Sequence, residues 1–299
     1  MRIVMSGASG MIGTALAEHL TGHGHEVIRL VRRPAKGPRE WTWDPAAGHL
    51  DEAVLDTAEA VINLSGAGIG DRPWTKNRIQ VLRDSRLQAT RTLTAAMGRL
   101  GTPPATFISQ SASGYYGASR DGLLTEDSGP GFGVLGSLCV EWERTARTAP
   151  QGVRVVTPRT GVVLSTSGGA LGPLLPLLKV GLGGPFGSGR QYWPWITSAD
   201  EVSALAFLLA TELEGPVNVC APESADVNTI VAALAKAYHR PAFFRVPGPA
   251  LRLVLGRLAD ELVLANQKME PARLSEAGFQ WQHPSLSDAM AWLTQDKAR

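Results

Sequence analysis

Short runs of β-branched and apolar residues alternate, over the first half of the chain, with longer stretches whose apolar positions recur at helical spacing. Arg2–Met5 reads as a strand and Met11–His23 as the helix that follows it. Glu26–Val31, Ala60–Leu64, Thr106–Ser109 and Arg154–Thr157 read as further strands, with helical patterns at Arg78–Leu100 and about Val134–Arg147. Strands alternating with helices imply βαβ units. Right-handed crossovers between such units build an α/β, doubly wound parallel sheet with helices on both faces. Ligands of such a sheet lie at the C-terminal ends of its strands.

From about Gly161 the pattern changes. Gly161–Ile196 is rich in Gly and Pro, with a possible short helix inside GGALGPLLPLLKVGLGG. A helix at about Ala199–Glu212 and a strand at Pro216–Val219 return to the earlier rhythm. Helical spacing then marks Asn228–Tyr238, Pro249–Ala265 and Leu286–Leu293. This reads as a smaller C-terminal lobe interleaved with the sheet.

The first strand runs straight into Gly7-Ala-Ser-Gly10-Met-Ile-Gly13 and a helix. A glycine at Gly7 can take the left-handed backbone of a tight turn. Gly10 leaves room for a phosphate, and Gly13 lets the helix lie close on the sheet. The free N–H groups and the positive helix end then face an anion, which predicts a dinucleotide site. The second strand ends in Arg32-Arg33, where a site selecting NAD carries an acid for the ribose 2′-OH. Two arginines suit a 2′-phosphate, so NADP is expected over NAD. Leu64-Ser65-Gly66-Ala-Gly68 follows another strand with small residues that let a cofactor approach the backbone. Arg86 and Thr90 fall on the apolar stripe of the helix 78–100, and a charge there needs a partner or a wet pocket. Ser109-Gln-Ser-Ala-Ser-Gly-Tyr-Tyr-Gly117 sets the hydroxyls of Ser111, Ser113, Tyr115 and Tyr116 at the ligand end of the sheet.

Composition narrows the class without naming a reaction. Hydrophobic residues make up 44% and charged residues 19% of 299, ordinary for a globular protein. A formal net charge of +2 gives no footprint for a nucleic-acid or membrane-surface partner. Two cysteines, Cys139 and Cys220, form no framework, so a reducing, cytoplasmic setting is expected. The longest apolar run, Val202 to Ala210, falls far short of the ~20 residues of a membrane span. No metal site is expected, and the oligomeric state, monomer or homodimer, stays open.

The segments SGASGMIGTAL, VRRP, AVINLSGAGI, DSRLQATRTL, SASGYYG, CVEWE, PRTGVVLS and GLGGPFGSGRQYWPWI appear in an order that resembles the extended short-chain dehydrogenase/reductase superfamily. They resemble most an atypical branch, the "epimerase family protein" group. RPAFFRVPGPALRLVLG to LSEAGFQW resembles that group's small C-terminal domain. The resemblance implies an NADP-binding Rossmann domain over mainly 1–160, and a substrate lobe with a C-terminal helical domain over mainly 161–299, the two interleaved at 199–219. It implies pyrophosphate contacts from Gly7, Ser9, Gly10, Met11, Ile12 and Gly13, and a 2′-phosphate held by Arg32 and Arg33. Leu64, Ser65 and Gly66 would line the ribose side, and Arg86 and Val162 would complete the pocket.

One departure limits what the resemblance implies. Active members pair a Tyr with a Lys four residues later, and the Lys lowers the tyrosine's pKa for acid/base work. No Tyr-x-x-x-Lys occurs in this sequence, and the matching positions are Leu135 and Cys139. The leading reading is an NADP-dependent oxidoreductase or epimerase acting on a small polar substrate. Its acid/base would be Tyr116 or Tyr115, with Ser111 or Ser113 in support, and Arg190, Gln191, Trp193 and Trp195 would face the substrate. The alternative is a non-catalytic NADP(H)-binding redox sensor or partner-binding protein. A UDP-sugar epimerase fits less well, because that chemistry most needs the missing pair.

Overall fold

The computed structural model describes residues 1–172 and 174–295. The chain divides into two compact units, each assembled from three separate stretches. The first comprises Met1–Ser111, Leu138–Arg159 and Val202–Val217, and the second Ala112–Ser137, Thr160–Glu201 and Asn218–Arg299.

The first unit is organised on a parallel sheet. Its strands β1 (Arg2–Ser6), β2 (Glu26–Val31), β3 (Glu40–Thr42), β4 (Ala60–Asn63) and β5 (Thr106–Ser109) lie in the order β3-β2-β1-β4-β5, continued by Arg154–Thr160 and Gly215–Val219. The pairs β1–β2, β1–β4, β2–β3, β4–β5 and β5 with Arg154–Thr160 are all parallel. The helices α1 (Met11–Gly22), α2 (Lys76–Met97) and α3 (Val134–Ala146) connect or flank these strands. Strand order reverses between β1 and β4, and at such a switch point the chain leaves a crevice beyond the strand ends. β1, β4 and β5 are almost wholly buried, which is why they read as continuous apolar runs rather than alternating ones. Val4, Ile28, Val61, Phe107, Leu93 and Met97 form one core between sheet and helices.

The expected doubly wound sheet is present, and β1, β2, β4 and β5 fall within a residue of their sequence positions. β3 is a three-residue strand and too short for its pattern to stand out.

Small strand pairings of its own hold the second unit, among them Gly168–Gly169 antiparallel to Val162–Ser165. Val162–Ser165 runs parallel to Trp195–Thr197, Ser119–Leu124 runs parallel to Asn266–Met269, and Tyr192–Trp193 runs antiparallel to Ala225–Asp226. Its core gathers Leu164, Leu175, Trp193, Trp195, Ile230, Leu234, Leu286 and Leu293. The single helix expected over Pro249–Ala265 is a correction. The structure ends a helix at Leu255, makes a π-helical turn at Ala259–Val263 and enters a strand at Asn266. Gly256, at φ 57° and ψ −134°, closes the first helix in a backbone conformation that glycine adopts far more readily than other residues.

Candidate functional site

β1 ends at Ser6 and the chain turns at Gly7, whose φ of 72° suits glycine. A Cβ on Gly7 would lie 2.5 Å from the carbonyl of Leu64, and one on Gly13 would lie 2.2 Å from the Gly7 oxygen. Close approach of the β1 turn to β4 and of α1 to that turn therefore needs both glycines. Gly10 is the N-cap of α1 in extended backbone, and no side chain caps the helix. Ser9 and Gly10 are exposed. The first turn of α1 thus offers backbone N–H groups and a positive dipole end to an outside anion.

A polar network holds the strand ends that frame this turn. Ser6 Oγ donates to Asn63 Oδ1 at 2.8 Å, and Ser65 donates its hydroxyl to Ser6 at 2.9 Å. Asn63 Nδ2 donates to Thr90 Oγ1 at 2.9 Å and to Ser109 Oγ at 3.3 Å. One buried amide therefore ties β1, β4, β5 and α2 together, and fixes where Leu64, Ser65 and Gly66 leave the sheet. The sequence signal for Asn63 was a polar residue inside the apolar strand AVINL. Thr90 belongs to this network.

Arg32 and Arg33 differ in their surroundings. Arg33 makes two bonds of 2.7 Å to the carboxylate of Glu40 and a third to the Pro34 carbonyl. The guanidinium holds Glu40 well below the usual carboxylate range, chiefly through these hydrogen bonds. Arg32 is exposed, makes no hydrogen bond or ion pair among the described residues, and lines an open cleft of about 750 Å³ with Trp41, Thr42 and Asp44. Of the two arginines expected at one phosphate, Arg33 is thus engaged by an acid of β3 and Arg32 faces the cleft.

Arg86 is 8% exposed on α2. Its Nη1 donates to the carbonyls of Ala67 and Leu82, and its guanidinium stands 5.2 Å from the centre of the Trp142 ring. A Cβ on Gly66 would lie 2.9 Å from its Cζ, so the glycine is what lets the β4 loop pass across the cation. Burial is the main influence on its pKa and pulls it down. No carboxylate pairs with it among the described residues, and the charge lies beside the Leu64–Gly66 loop.

The hydroxyls behave differently. Ser111 is buried and donates to Glu143 Oε1 at 2.8 Å. Glu143 also receives Arg159, at 2.8 Å from Nε and 3.0 Å from Nη2. Tyr116 is wholly buried, and its hydroxyl lies 2.6 Å from Asn218 Oδ1 and 3.0 Å from the Thr125 carbonyl. The hydroxyls of Ser111 and Tyr116, expected at the substrate, are thereby engaged in buried networks. Tyr115 and Ser113 are half-buried. Leu135 and Cys139, the positions of the missing pair, are both buried.

The remaining expected residues lie in the second unit. Val162 is half-buried and pairs with Trp195 across the two strands. Trp195 is 1% and Trp193 8% exposed, and both belong to the core of that unit rather than to an open surface. Arg190 and Gln191 line one cavity of about 440 Å³ with Ser188, Arg252 and Asn266. Glu201 is a buried acid that sequence reading missed, since it looks like an ordinary acidic residue in the first turn of a helix. Its Oε1 accepts from Thr160 at 2.8 Å, and burial pushes its pKa up to about 8.

A family model described as the NAD dependent epimerase/dehydratase family matches residues 3–220. The chain belongs to this family. A second model, a domain of unknown function, matches residues 246–293. The epimerase family protein SDR39U1 of Homo sapiens is 35% identical over 97% of this chain and 98% of its own length. An epimerase family protein of Mycobacterium bovis is 42% identical over 98% of this chain and 97% of its own. A crystal structure of human SDR39U1 with NADPH superposes at a TM-score of 0.90, with 34% identity, covering 99% of this chain and 100% of that one. MoeE5, in complex with UDP-glucuronic acid and NAD, superposes at 0.78 with 20% identity over 100% of this chain and 99% of its own, a likeness of fold alone. No helix among the described residues is long and apolar enough to cross a membrane.

Proposed function

We propose that this protein binds NADP(H) at the end of its parallel sheet and uses it as an oxidoreductase or epimerase on a small polar substrate. The observation that carries the reading is the uncapped first turn of α1, held by glycines at positions where a Cβ would strike backbone. That cradle fits a pyrophosphate. Arg32, exposed and unpaired among the described residues, suits the 2′-phosphate, and Arg33 shapes the loop by holding Glu40. Arg86 supplies an uncompensated positive charge beside the loop that would line the ribose. The NADPH of the human SDR39U1 structure agrees with this choice of cofactor.

When bound, the cofactor supplies or accepts a hydride. The chain's part is to orient it, to exclude water and to move a proton. We assign the proton role to Tyr115 and Ser113, which are half-buried, whereas Ser111 and Tyr116 are closed off from solvent. Titration with NADPH and NADH tests the cofactor: tighter binding of NADPH is expected, and preference for NADH overturns the role of Arg32. Turnover that survives Tyr115→Phe together with Ser113→Ala overturns the proton role.

A second reading has its own observation. The sealed hydroxyls of Ser111 and Tyr116, with Leu135 and Cys139 at the missing pair, also suit a protein that holds NADP(H) without turning it over. NADPH bound tightly, with no oxidation across a panel of small carbonyl compounds, would favour that reading.

A further inference from the structure

One carboxylate of the second unit lies where the start of α3 meets the C-terminal segment. Glu261 is half-buried in the π-helical turn Ala259–Val263. Its Oε2 accepts from the Leu135 N–H at 2.9 Å, across 126 residues. Leu135 opens α3, at the position where active short-chain dehydrogenases carry the tyrosine.

A helix start is ordinarily capped by the side chain just before it. Here that residue is Gly133, whose carbonyl accepts the first bond of α3 from Ser137 and which has no side chain to offer. The first turn of α3 carries no acid. A Cβ on Gly133 would lie 2.8 Å from Glu261 Oε2, so the distant carboxylate occupies the space of a local cap.

The same stretch runs beside the loop that carries the half-buried hydroxyls. Gly131 donates its N–H to the Tyr115 carbonyl at 2.9 Å. A Cβ on Gly136 would lie 3.8 Å from the carbonyl oxygen of Gly114, which stands between Ser113 and Tyr115. Gln267, further along the C-terminal segment, donates through Nε2 to the carbonyls of Ser113 at 3.0 Å and Gly117 at 2.6 Å. The C-terminal segment therefore grips the start of α3 with Glu261 and the hydroxyl loop with Gln267. All of these residues belong to the second unit.

Capping occupies one oxygen of Glu261. The other, Oε1, makes no hydrogen bond among the described residues, and no cation pairs with the side chain among them. The neighbouring charges are engaged or absent. Asp260 pairs with Arg252, Lys268 stands over the Tyr192 ring, and 129–137 opposite holds no ionisable residue. An amide or a hydroxyl caps a helix as well as an acid does. What a carboxylate adds is a place for a proton, and π-helical turns are frequent at functional sites.

We propose that Glu261 is the proton-exchanging carboxylate of the site, acting through the hydroxyl of Tyr115 or Ser113. The proposal rests on the reading of the protein as an NADP(H)-dependent enzyme. As an alcohol carbon of the substrate loses its hydride to NADP+, the alcohol proton passes to the oxygen of Tyr115 or Ser113. The proton already on that oxygen passes to Glu261, which releases it to water. In the reducing direction each transfer reverses, and water returns the proton to Glu261.

The test compares NADP+ and NADPH binding to the wild type and to Glu261→Gln by calorimetric titration near neutral pH. The oxidised nicotinamide ring carries a positive charge that the reduced ring lacks, and a carboxylate serving the reacting carbon favours it. The amide keeps an acceptor for Leu135 and removes the charge, so a residue that only caps α3 leaves the ratio of the two affinities unmoved. The expected result is a ratio shifted towards NADPH by about threefold or more, with an unchanged melting temperature. Glu261→Asp, which keeps the charge, recovers part of the shift. In NADPH oxidation with small carbonyl compounds, Glu261→Gln slows turnover by about a hundredfold. It adds nothing to the loss in Tyr115→Phe with Ser113→Ala, because the groups act in series. An unmoved ratio overturns the proposal, and so does a loss that adds to that of the hydroxyl variants. If the wild type binds neither nucleotide, or turns over no compound, the proposed function falls and this proposal falls with it. A wild type that binds and turns over, with a ratio unmoved in Glu261→Gln, removes this proposal alone.

Discussion

The first unit buries two guanidinium groups, and their surroundings are opposite. Arg159 is 2% exposed and meets Glu143 through Nε and Nη2. Glu143 also takes Ser111 and Arg147, so its oxygens are well supplied with donors. Arg86 is nearly as buried, yet it faces two carbonyls, an indole ring and a glycine. Burying a charge is costly unless it is paired. Arg159 is offset within the fold, and it serves the fold. Arg86 has no carboxylate partner among the described residues, and on the function proposed above its counter-charge is the cofactor's.

Breaking the paired side gives the largest effect. Glu143→Ala leaves Arg159 buried without its counter-ion and is expected to destabilise the protein by about 3–5 kcal/mol in urea unfolding. A loss below 1 kcal/mol would mean that Arg159 finds water, and the contrast with Arg86 would collapse.

The same distinction between paired and unpaired charge extends to acids through Glu201. Its Oε2 has no hydrogen-bond partner among the described residues, and its pKa of about 8 lies above the ordinary 4.5. Below pH 8 the folded protein keeps the proton, whereas the unfolded chain releases it above about 4.5. Stability therefore falls by about 1.4 kcal/mol per pH unit from this group as pH rises from 5 towards 8, and the slope ends beyond the folded pKa. Glu201→Gln should flatten that slope in unfolding curves at pH 5.5, 6.5 and 7.5. An unchanged slope would show that Glu201 ionises normally.

Arg86→Met tests the unpaired side. NADPH binding should weaken by about 1.5–2 kcal/mol, roughly tenfold to thirtyfold, with the urea midpoint unchanged or higher. A stability loss as large as that of Glu143→Ala, with NADPH affinity intact, would reverse the assignment. The smallest effect belongs to the exposed residues. Arg32→Ala should lower the preference for NADPH over NADH by about tenfold or less, and Arg33→Ala should lower it by less again. Calorimetric titration of both nucleotides reads the order, and a larger effect at Arg33 would reverse it.

Much of the first unit was legible, because buried parallel strands appear as apolar runs and glycines mark the turn at β1. The charge of Arg86 was also legible, as a cation on an apolar stripe. What that pattern could not supply was the partner. Glu143 sits in CVEWE as plainly as Arg86 sits on α2, yet only the fold brings Arg159 to it. Arg33 read as a second phosphate ligand because Glu40 lies on a three-residue edge strand that periodicity does not register. Tyr116 read as an acid/base for a similar reason: its hydrogen bond to Asn218 spans 102 residues. The tryptophans Trp193 and Trp195 carried no sign of burial, since glycines and prolines flank them and leave no stripe to read. Pro249–Ala265 kept helical spacing across Gly256, and the break there comes from one glycine at positive φ.

The pairing of Ser119–Leu124 with Asn266–Met269 also limits how early the second unit can close. Asn266 bonds to Arg120 across 146 residues. At roughly 5–20 residues per second, a ribosome needs roughly 7–30 s to emit the second strand after the first. Through that interval the first strand's edge groups are open to any other extended chain. The second unit closes only after Met269 has been made, and until then the nascent chain is exposed to aggregation and to chaperone capture.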